Sequence, residues 1–333
     1  MRTSPCGPSS SPWGSRPPWA SSSESTPPRK PPGSTRLKPS DTSRWRAAAP
    51  LSVMVFAFGS SFIAVKVAYR VFPPFQSVFF RYLLLAPVLM LLHRWRGLPR
   101  PRGRDLTAIV ALGFLEPGLY FVFDSLSLKF TTASQASLMV ALIPLWVYLL
   151  GIAFRTLRFH AGAFLSVILS VAGIAVITGG GEAAELGRHA LGNGLMLIGA
   201  LVAAAWTLLV RHLSRRHHPL TITAYQALST LALFSLLAPA EFVFVRPGPL
   251  TASAAGAIAY LAFVSSGVGY LTLQAGIRAG GAVLTSTFAN LIPVVTLVMA
   301  FLLLGEPLRP SVLLGGMLIL SGIYYLTRLQ PEA

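Results

Sequence analysis

Two apolar stretches, residues 132–153 (TASQASLMVALIPLWVYLLGIA) and 281–302 (GAVLTSTFANLIPVVTLVMAFL), carry the pattern from which the fold can be predicted. They begin 149 residues apart, and each places the tripeptide Leu-Ile-Pro at the same distance from its start, at 142–144 and at 291–293. A helix of about 22 residues is roughly 33 Å long and can cross a hydrocarbon core about 30 Å thick. The two stretches are therefore predicted to be membrane-spanning helices from two copies of one unit.

The match between the copies extends beyond this pair. With the same offset of 149, no gap is needed from the third predicted span to the fifth, and basic Lys129 falls on basic Arg278. Identical residues at matched positions are Gly118 and Gly267, Ala133 and Ala282, Ser137 and Ser286, Gly173 and Gly322, and Ile174 and Ile323. The repeated unit contains five spans. Because five is odd, the second copy enters the membrane inverted, an arrangement that recurs in secondary transporters.

Ten stretches are apolar over about 20 residues, the length that a membrane helix needs. They are residues 48–69, 74–92, 106–126, 132–153, 161–180, 190–211, 220–240, 254–276, 281–304 and 310–327. Proline, glycine or charged residues separate them, among these Gly280-Gly281 between the eighth and the ninth. The predicted fold class is an all-α integral membrane protein with ten transmembrane helices, built as two inverted five-helix repeats.

The composition excludes several classes of protein. Of 333 residues, 53% are hydrophobic and 11% are charged, where soluble domains carry about 25% charged residues. An ordinary soluble enzyme and a fully disordered chain are excluded, and with Cys6 as the one cysteine so is a disulfide-rich domain. The net charge of +17 is concentrated between the apolar stretches, which favours membrane loops over binding of nucleic acid.

The first 46 residues form a separate segment, with ten prolines and twelve serines. Such a composition cannot bury enough apolar surface to offset the entropy of ordering, so we predict a disordered cytoplasmic tail. The predicted domains are this tail, a first five-helix repeat at 47–187, a second at 188–328 and a C-terminal tail at 329–333.

The distribution of lysine and arginine predicts the orientation. The N-terminal tail, the even-numbered loops and the C-terminal tail carry 20 Lys and Arg, and the odd-numbered loops carry five. Positive residues are enriched on the cytoplasmic side of membrane proteins. We therefore expect a multi-pass protein of the cell membrane with both termini in the cytoplasm.

Several short motifs resemble one known family. They are Phe58–Lys66 (FGSSFIAVK), Phe80–Leu84 (FRYLL), Tyr120-Phe121, Thr131–Ser137 (TTASQAS) leading to Pro144, Ala205-Trp206, Pro293 and Gly305-Glu306-Pro307. In this order, on a duplicated five-span unit, they resemble the EamA-type members of the drug/metabolite transporter superfamily over residues 48–327. The resemblance implies a ten-helix secondary transporter, commonly an exporter of metabolites or amino acids. The chain departs from that pattern at Phe58, where such proteins often have Trp, and at 156–158, which lacks the acid of the matching Gly-Glu-Pro motif.

Glu116 is the strongest candidate for a functional residue. It lies about ten residues into the third span, and a charge at that depth costs at least about 2.5–3.5 kcal/mol. Tyr120 and Asp124 follow at four and eight residues, on the same side of a helix. A buried carboxyl group can take up and release protons, so Glu116 is a candidate for proton coupling or for binding a cationic group. The alternative is a structural ion pair with Arg81 or Lys66.

Asp124, Lys66 and Arg81 are candidates with structural alternatives. Asp124 is either a gate for substrate or protons, or a solvated helix end. Lys66 either belongs to the pathway or extends to the membrane interface. Arg81 needs a partner because it stays charged, and we expect it to pair with Asp124 or Glu116. The four charges sum to zero, as one buried network requires.

Pro144 and Pro293 occupy matching places in the fourth and ninth spans. A proline removes one backbone hydrogen bond and loosens a helix, so the two are candidates for symmetric hinges or for static bends. Trp206, in the sixth span, is a candidate for lining a cavity, with core packing as the alternative.

Three neutral polar residues complete the candidate site. Gln135 and Asn290 are placed near the cytoplasmic starts of the fourth and ninth spans, and Gln274 lies in the eighth. Each either binds substrate or forms hydrogen bonds between helices. No phosphate-binding loop, catalytic residue, metal-ligand spacing or cofactor motif is identified, and we expect neither an enzyme nor a cofactor.

The sequence thus predicts a secondary active transporter, an exporter of small organic metabolites or amino acids by alternating access, with proton coupling through Glu116 as a hypothesis. The expected partners are a small-molecule solute and membrane lipid, and a homodimer is left open. One alternative is a facilitated exchanger or importer of an anionic or sugar-like solute, which Lys66 and Arg81 keep open. An alternative of another class is a membrane-embedded enzyme that acts on lipid.

Overall fold

A computed structural model describes residues 39–155, 161–179 and 183–329, and within these ranges all regular structure is helical. The α-helices are α1 Pro39–Ala68, α2 Pro74–Trp95, α3 Gly103–Gly113, α4 Tyr120–Phe130, α5 Ala133–Val140, α6 Ile143–Ala153, α7 Ala161–Gly179, α8 Ala183–Arg216, α9 Pro219–Phe244, α10 Ala252–Tyr260, α11 Tyr270–Ala289, α12 Ile292–Met299 and α13 Pro310–Leu329. A kink at Phe114–Leu119 joins α3 to α4, a π-helical segment at Leu261–Gly269 joins α10 to α11, and another at Ala300–Leu304 extends α12.

Seven helices in the described ranges are long and apolar enough to cross a membrane. They are Ala48–Ala68, Pro74–Trp95, Gly103–Phe130, Ala133–Ala153, Gly187–Arg216, Pro219–Phe244 and Ala252–Ala279. Three shorter apolar helices, Leu165–Ile177, Ile292–Leu304 and Pro310–Tyr325, lie where the fifth, ninth and tenth spans are predicted. Large apolar side chains such as Phe56 and Leu236 face outward, as lipid contact requires. The protein is an all-helical, multi-pass membrane protein, and the count of ten spans stays a prediction.

The first helix begins earlier than predicted. Helix α1 starts at Pro39, so residues 39–46, which the sequence assigned to the tail, continue the first membrane helix. The remainder of the predicted disordered tail, residues 1–38, lies outside the described residues, as do residues 330–333 of the predicted C-terminal tail.

The fourth and ninth spans are each interrupted before the proline of their Leu-Ile-Pro tripeptide. The interruptions fall at 141–142, before Pro144, and at 290–291, before Pro293. The predicted break at Gly280-Gly281 is wrong, because α11 runs through both glycines to Ala289. A glycine inside a helix costs only about 1 kcal/mol relative to alanine, whereas a proline cannot donate the backbone hydrogen bond that the preceding turn needs.

The kink of the third span and the π-helical segment of the eighth occupy equivalent positions. Adding 149 to residues 114–119 gives 263–268, which lies within Leu261–Gly269. A π-helical segment inside an α-helix changes which side chains face inward and is frequent at functional sites.

Four helix pairs make the most extensive contacts: α7 with α13, α2 with α9, α1 with α11, and α4 with α8. Helices α7 and α13 approach closely because glycines face each other. A β-carbon at Gly315 would lie 2.6 Å from the backbone oxygen of Gly173. Small residues at such contacts allow the close packing that holds membrane helices together.

Two charged side chains hold the turn between α4 and α5. Lys66 donates from Nζ to the backbone oxygens of Leu128 (2.7 Å) and Thr131 (2.6 Å), at the end of α4. Glu306 accepts hydrogen bonds from the backbone N–H groups of Ala133 (2.9 Å) and Ser134 (3.2 Å) and from the Ser134 hydroxyl (2.7 Å), at the start of α5. Each charge has the sign that stabilises its helix end.

Replacing Glu306 should destabilise this turn. Glu306→Ala leaves two backbone donors without their acceptor, and we expect a loss of about 1–2 kcal/mol in stability, with a smaller loss for Glu306→Gln. Thermal unfolding of the purified protein in detergent measures this. The control Asp105→Asn removes a partly exposed pair with Arg216 and His217 and should change the midpoint less than Glu306→Ala does. Equal midpoints for Glu306→Ala and the parent would contradict the capping role.

Candidate functional site

A cavity of about 110 Å³ lies among the broken helices. Most of its wall is apolar and aromatic, with contributions from Met54, Phe58, Phe62, Val65, Leu128, Ile143, Ala203 and Leu273. Three charged side chains also line it, namely Arg81, Glu116 and Asp124. With both acids ionised, the wall carries one more negative charge than positive.

Glu116 lies where the third span departs from helical geometry. Its φ of −143° and ψ of 125° are extended, and Pro117 follows with no N–H to donate. The side chain is 7% exposed. One carboxylate oxygen accepts a long hydrogen bond from the Tyr270 hydroxyl (3.4 Å), and the other is buried with no partner among the described residues. A buried oxygen without a donor is costly, so this position is suited to a proton or to a donor from a ligand.

Arg81 is held against one wall of the cavity by the eighth span. Its Nε donates to the Ser266 hydroxyl, and its Nη2 donates to the Ser265 hydroxyl at 2.9 Å. The guanidinium carbon lies 4.4 Å from the centre of the Phe121 ring, which adds a cation–π contact. These contacts leave other N–H groups of the guanidinium for a ligand, because arginine has five donors.

The prediction that Arg81 forms an ion pair with Asp124 or Glu116 is wrong. Within the ranges that the structure describes, neither carboxylate lies within 4.0 Å of the guanidinium, and the ion pairs that do form join Asp105 to Arg216 and His217. Asp124 is 6% exposed, so it is not a solvated helix end, and Arg81 is the charged group that acts on it electrostatically. Two N–H groups of Arg81 donate to serines instead of to an acid, and the pair stays open.

Three other predicted residues line the cavity. Tyr120 and Trp206 are both buried in its wall, and Pro144 lies at the interruption of the fourth span. Pro293 and Lys66 are not among the lining residues. The four predicted charges do not form one network, because Lys66 binds backbone oxygens of the α4–α5 turn instead.

The three polar candidates lie outside the cavity wall. Gln135 accepts a hydrogen bond from the Asn193 side chain (3.0 Å). The loop before the fourth span is odd-numbered, and the odd-numbered loops are predicted on the outer side, so the predicted cytoplasmic place of Gln135 is inconsistent with the predicted orientation. Gln274 accepts one from the Ser214 hydroxyl (2.9 Å). Asn290 lies at the interruption of the ninth span, not near its start, and its side-chain oxygen has no partner among the described residues.

Sequence reasoning missed the residues that hold Arg81. Ser265 and Ser266 come from the eighth span and accept its hydrogen bonds, and Tyr270 of the same span donates to Glu116. The offset of 149 residues contains a signal, because it places Ser265 at the position that matches Glu116. In the part of the chain that the structure describes, no three His, Cys, Asp or Glu side chains come together as metal ligands.

The sequence profile of the EamA-like transporter family matches twice along the chain, at residues 47–179 and 190–328. The chain belongs to the EamA-like transporter family. Similar proteins include an "Uncharacterized transporter" of Archaeoglobus fulgidus, 28% identical over 85% of this chain and 97% of that protein. The family is one of transporters, and the charged cavity among membrane helices is its candidate solute site in this member.

Two further similar proteins carry names that state a solute. A "Probable terminal-alkyne amino-acid exporter" of Streptantibioticus cattleyicolor is 25% identical over 85% of this chain and 94% of its own length. A "Probable amino-acid metabolite efflux pump" of Salmonella typhimurium is 26% identical over 82% and 91%. One crystal structure superposes with a TM-score of 0.63 at 18% identity, covering 86% of this chain and 97% of that one, and it supports the fold alone.

Removing the serines that hold Arg81 should destabilise the protein. Ser265→Ala with Ser266→Ala leaves a buried guanidinium without two acceptors, and hydrogen bonds to charged groups contribute about 1.5–3 kcal/mol each. Thermal unfolding of the purified protein measures the loss. Ser170→Ala is the matched control, because the Ser170 hydroxyl is buried and has no partner among the described residues. Equal midpoints for the double variant and this control would contradict the anchoring of Arg81.

Proposed function

We propose that this protein is a secondary active transporter that exports small organic metabolites or amino acids by alternating access. The observation that carries the proposal is the cavity itself, in which Arg81, Glu116 and Asp124 lie buried among membrane helices. Buried charges inside a membrane are costly and mark solute or proton pathways. The printed names of two similar proteins, an exporter and an efflux pump, support transport out of the cell.

The internal duplication supports alternating access. The family profile matches twice. The irregular segments of the third and eighth spans lie at equivalent positions, and so do the interruptions at 141–142 and 290–291. Helix α1, the first span of the first half, contacts α11 of the third span of the second half. Helix α8, the first span of the second half, contacts α4 of the third span of the first half, so the two contacts are equivalent. Two inverted halves that exchange conformations expose a central site first to one side and then to the other. Pro144 and Pro293 are the proposed hinges. The distribution of Lys and Arg supports a cell-membrane protein with both termini in the cytoplasm.

Glu116 is the proposed proton carrier. Its second carboxylate oxygen lacks a partner among the described residues, so protonation satisfies it without breaking a salt bridge. The ionisable groups around it are Tyr120 and Asp124 on its own span, Tyr82 and Arg81 on α2, and Tyr270 on α11. Exchange of a proton for solute would then use the inward proton gradient to drive export.

An anionic solute is disfavoured by the charges of the cavity. Lys66 is bound to backbone oxygens, and Arg81 is outnumbered by two carboxylates. An importer or exchanger of anions would need the opposite balance.

Growth of a sensitive bacterial host tests the proposal. Cells that express the full chain are expected to survive higher concentrations of toxic amino acids, analogues, purines or cationic drugs than empty-vector cells. Glu116→Gln keeps the shape of the side chain and removes the proton site, so protection should fall to the empty-vector level. Asp105→Asn, on an exposed pair, should protect like the parent.

Two other outcomes of the growth experiment would overturn parts of the proposal. Protection by both the parent and Glu116→Gln would retain the exporter and overturn the proton role of Glu116. Greater sensitivity of cells with the parent chain would overturn the export direction.

A further inference from the structure

We infer that Arg81 and Asp124 form the two ends of a receptor for a zwitterion, with the carboxylate of an α-amino acid on Arg81 and its ammonium group on Asp124. The inference rests on the proposed function, because it names the solute class that the cavity takes.

The first support is the open pair. Arg81 and Asp124 line one cavity and act on each other electrostatically, yet the guanidinium and the carboxylate are not within 4.0 Å. Opposite charges in a place of low dielectric attract strongly, so a pair held apart leaves both groups poorly compensated. A molecule that carries both charges can bridge them and compensate each.

The second support is that Arg81 is held in place and that both groups can form further hydrogen bonds. Ser265 and Ser266 hold the guanidinium on the wall and use two of its donors. A planar guanidinium with free N–H groups matches a carboxylate, with which it can form two parallel hydrogen bonds. Asp124 has no hydrogen-bond partner among the described residues, so it can accept the donors of an ammonium group.

The third support is the charge that remains. With a zwitterion across Arg81 and Asp124, Glu116 is the one uncompensated charge among the three that line the cavity, and a single proton neutralises it. Glu116 is free to take this proton independently of Arg81, because its hydrogen-bond partner is the Tyr270 hydroxyl.

The rest of the wall selects the body of the solute. Phe58, Phe62, Phe121 and Trp206 surround the charged groups with apolar and aromatic surface. An amino acid with an apolar side chain fits such a wall, since burial contributes about 25 cal/mol per Å² of apolar surface.

Three probes with the same phenylethyl body test the inference: phenylalanine, phenethylamine and 3-phenylpropionate. They carry both charges, the ammonium alone and the carboxylate alone. Calorimetric titration into the purified full chain gives their affinities. Phenylalanine should bind about 10- to 100-fold more tightly than either of the others, because each ionic contact adds roughly that factor.

Variants assign each end of the probe. Arg81→Gln should weaken phenylalanine and 3-phenylpropionate about tenfold or more and leave phenethylamine unchanged, and Arg81→Lys should retain part of the binding. Asp124→Asn should weaken phenylalanine and phenethylamine and leave 3-phenylpropionate unchanged. Arg102→Gln and Asp105→Asn are matched controls on residues outside the cavity, and Glu116→Gln should keep the order of the three affinities.

Equal weakening of all three probes by Arg81→Gln or by Asp124→Asn would overturn the inference, because a structural role does not distinguish the probes. So would phenethylamine binding as tightly as phenylalanine, or the absence of phenylalanine binding at millimolar concentration. If phenylalanine does not bind but the chain still protects cells against another solute, the inference fails and the proposed function stands. If the probes bind in the predicted order but no solute is exported, the proposed function fails.

Discussion

A guanidinium buried among membrane helices needs polar partners, and the way in which this protein supplies them to Arg81 determines the site. The acceptors are two serines of the eighth span, not an acid. Because serines compensate the guanidinium only in part, Asp124 remains within its field without closing onto it. If Arg81 and Asp124 formed an ion pair, the one positive group that lines the cavity would not be available to a solute. The open arrangement keeps one positive and two negative groups on the same wall.

Departures from regular helix make this arrangement possible. The π-helical segment at Leu261–Gly269 places Ser265 and Ser266 beside Arg81, and the kink at Phe114–Leu119 contains Glu116. The close approach of the first and eighth spans needs a glycine, because a β-carbon at Gly269 would lie 2.6 Å from the Phe58 ring. Two such segments, at equivalent places in the two halves, bring polar groups to one layer of a bundle whose surface is otherwise apolar.

Much of the fold could be predicted because it follows from strong physical constraints. Length and hydropathy locate membrane helices, and the Leu-Ile-Pro tripeptides locate the two interruptions. The cavity wall was predicted in part, at Arg81, Glu116, Tyr120, Asp124 and Trp206. Partners were harder to predict, because pairing depends on helix rotation. The π-helical segment at Leu261–Gly269 shifts that rotation, and no proline marks it in the sequence. The partners of Lys66 could not be predicted either, because they are the backbone oxygens of Leu128 and Thr131, and a backbone acceptor does not depend on the residue type.

Alternating access of the cavity is tested most directly with a single reactive thiol inside it. Cys6 is the one cysteine of the sequence, so Cys6→Ser gives a background in which Ser61→Cys, on the cavity wall, is the sole target. In sealed vesicles of each orientation, a charged, membrane-impermeant methanethiosulfonate reagent should modify this thiol from both sides. Addition of solute or a change of pH should raise one rate as the other falls. Ser253→Cys, exposed at the start of α10, should react from one side only. Reaction of Ser61→Cys from a single side at every pH and with every solute would contradict alternating access.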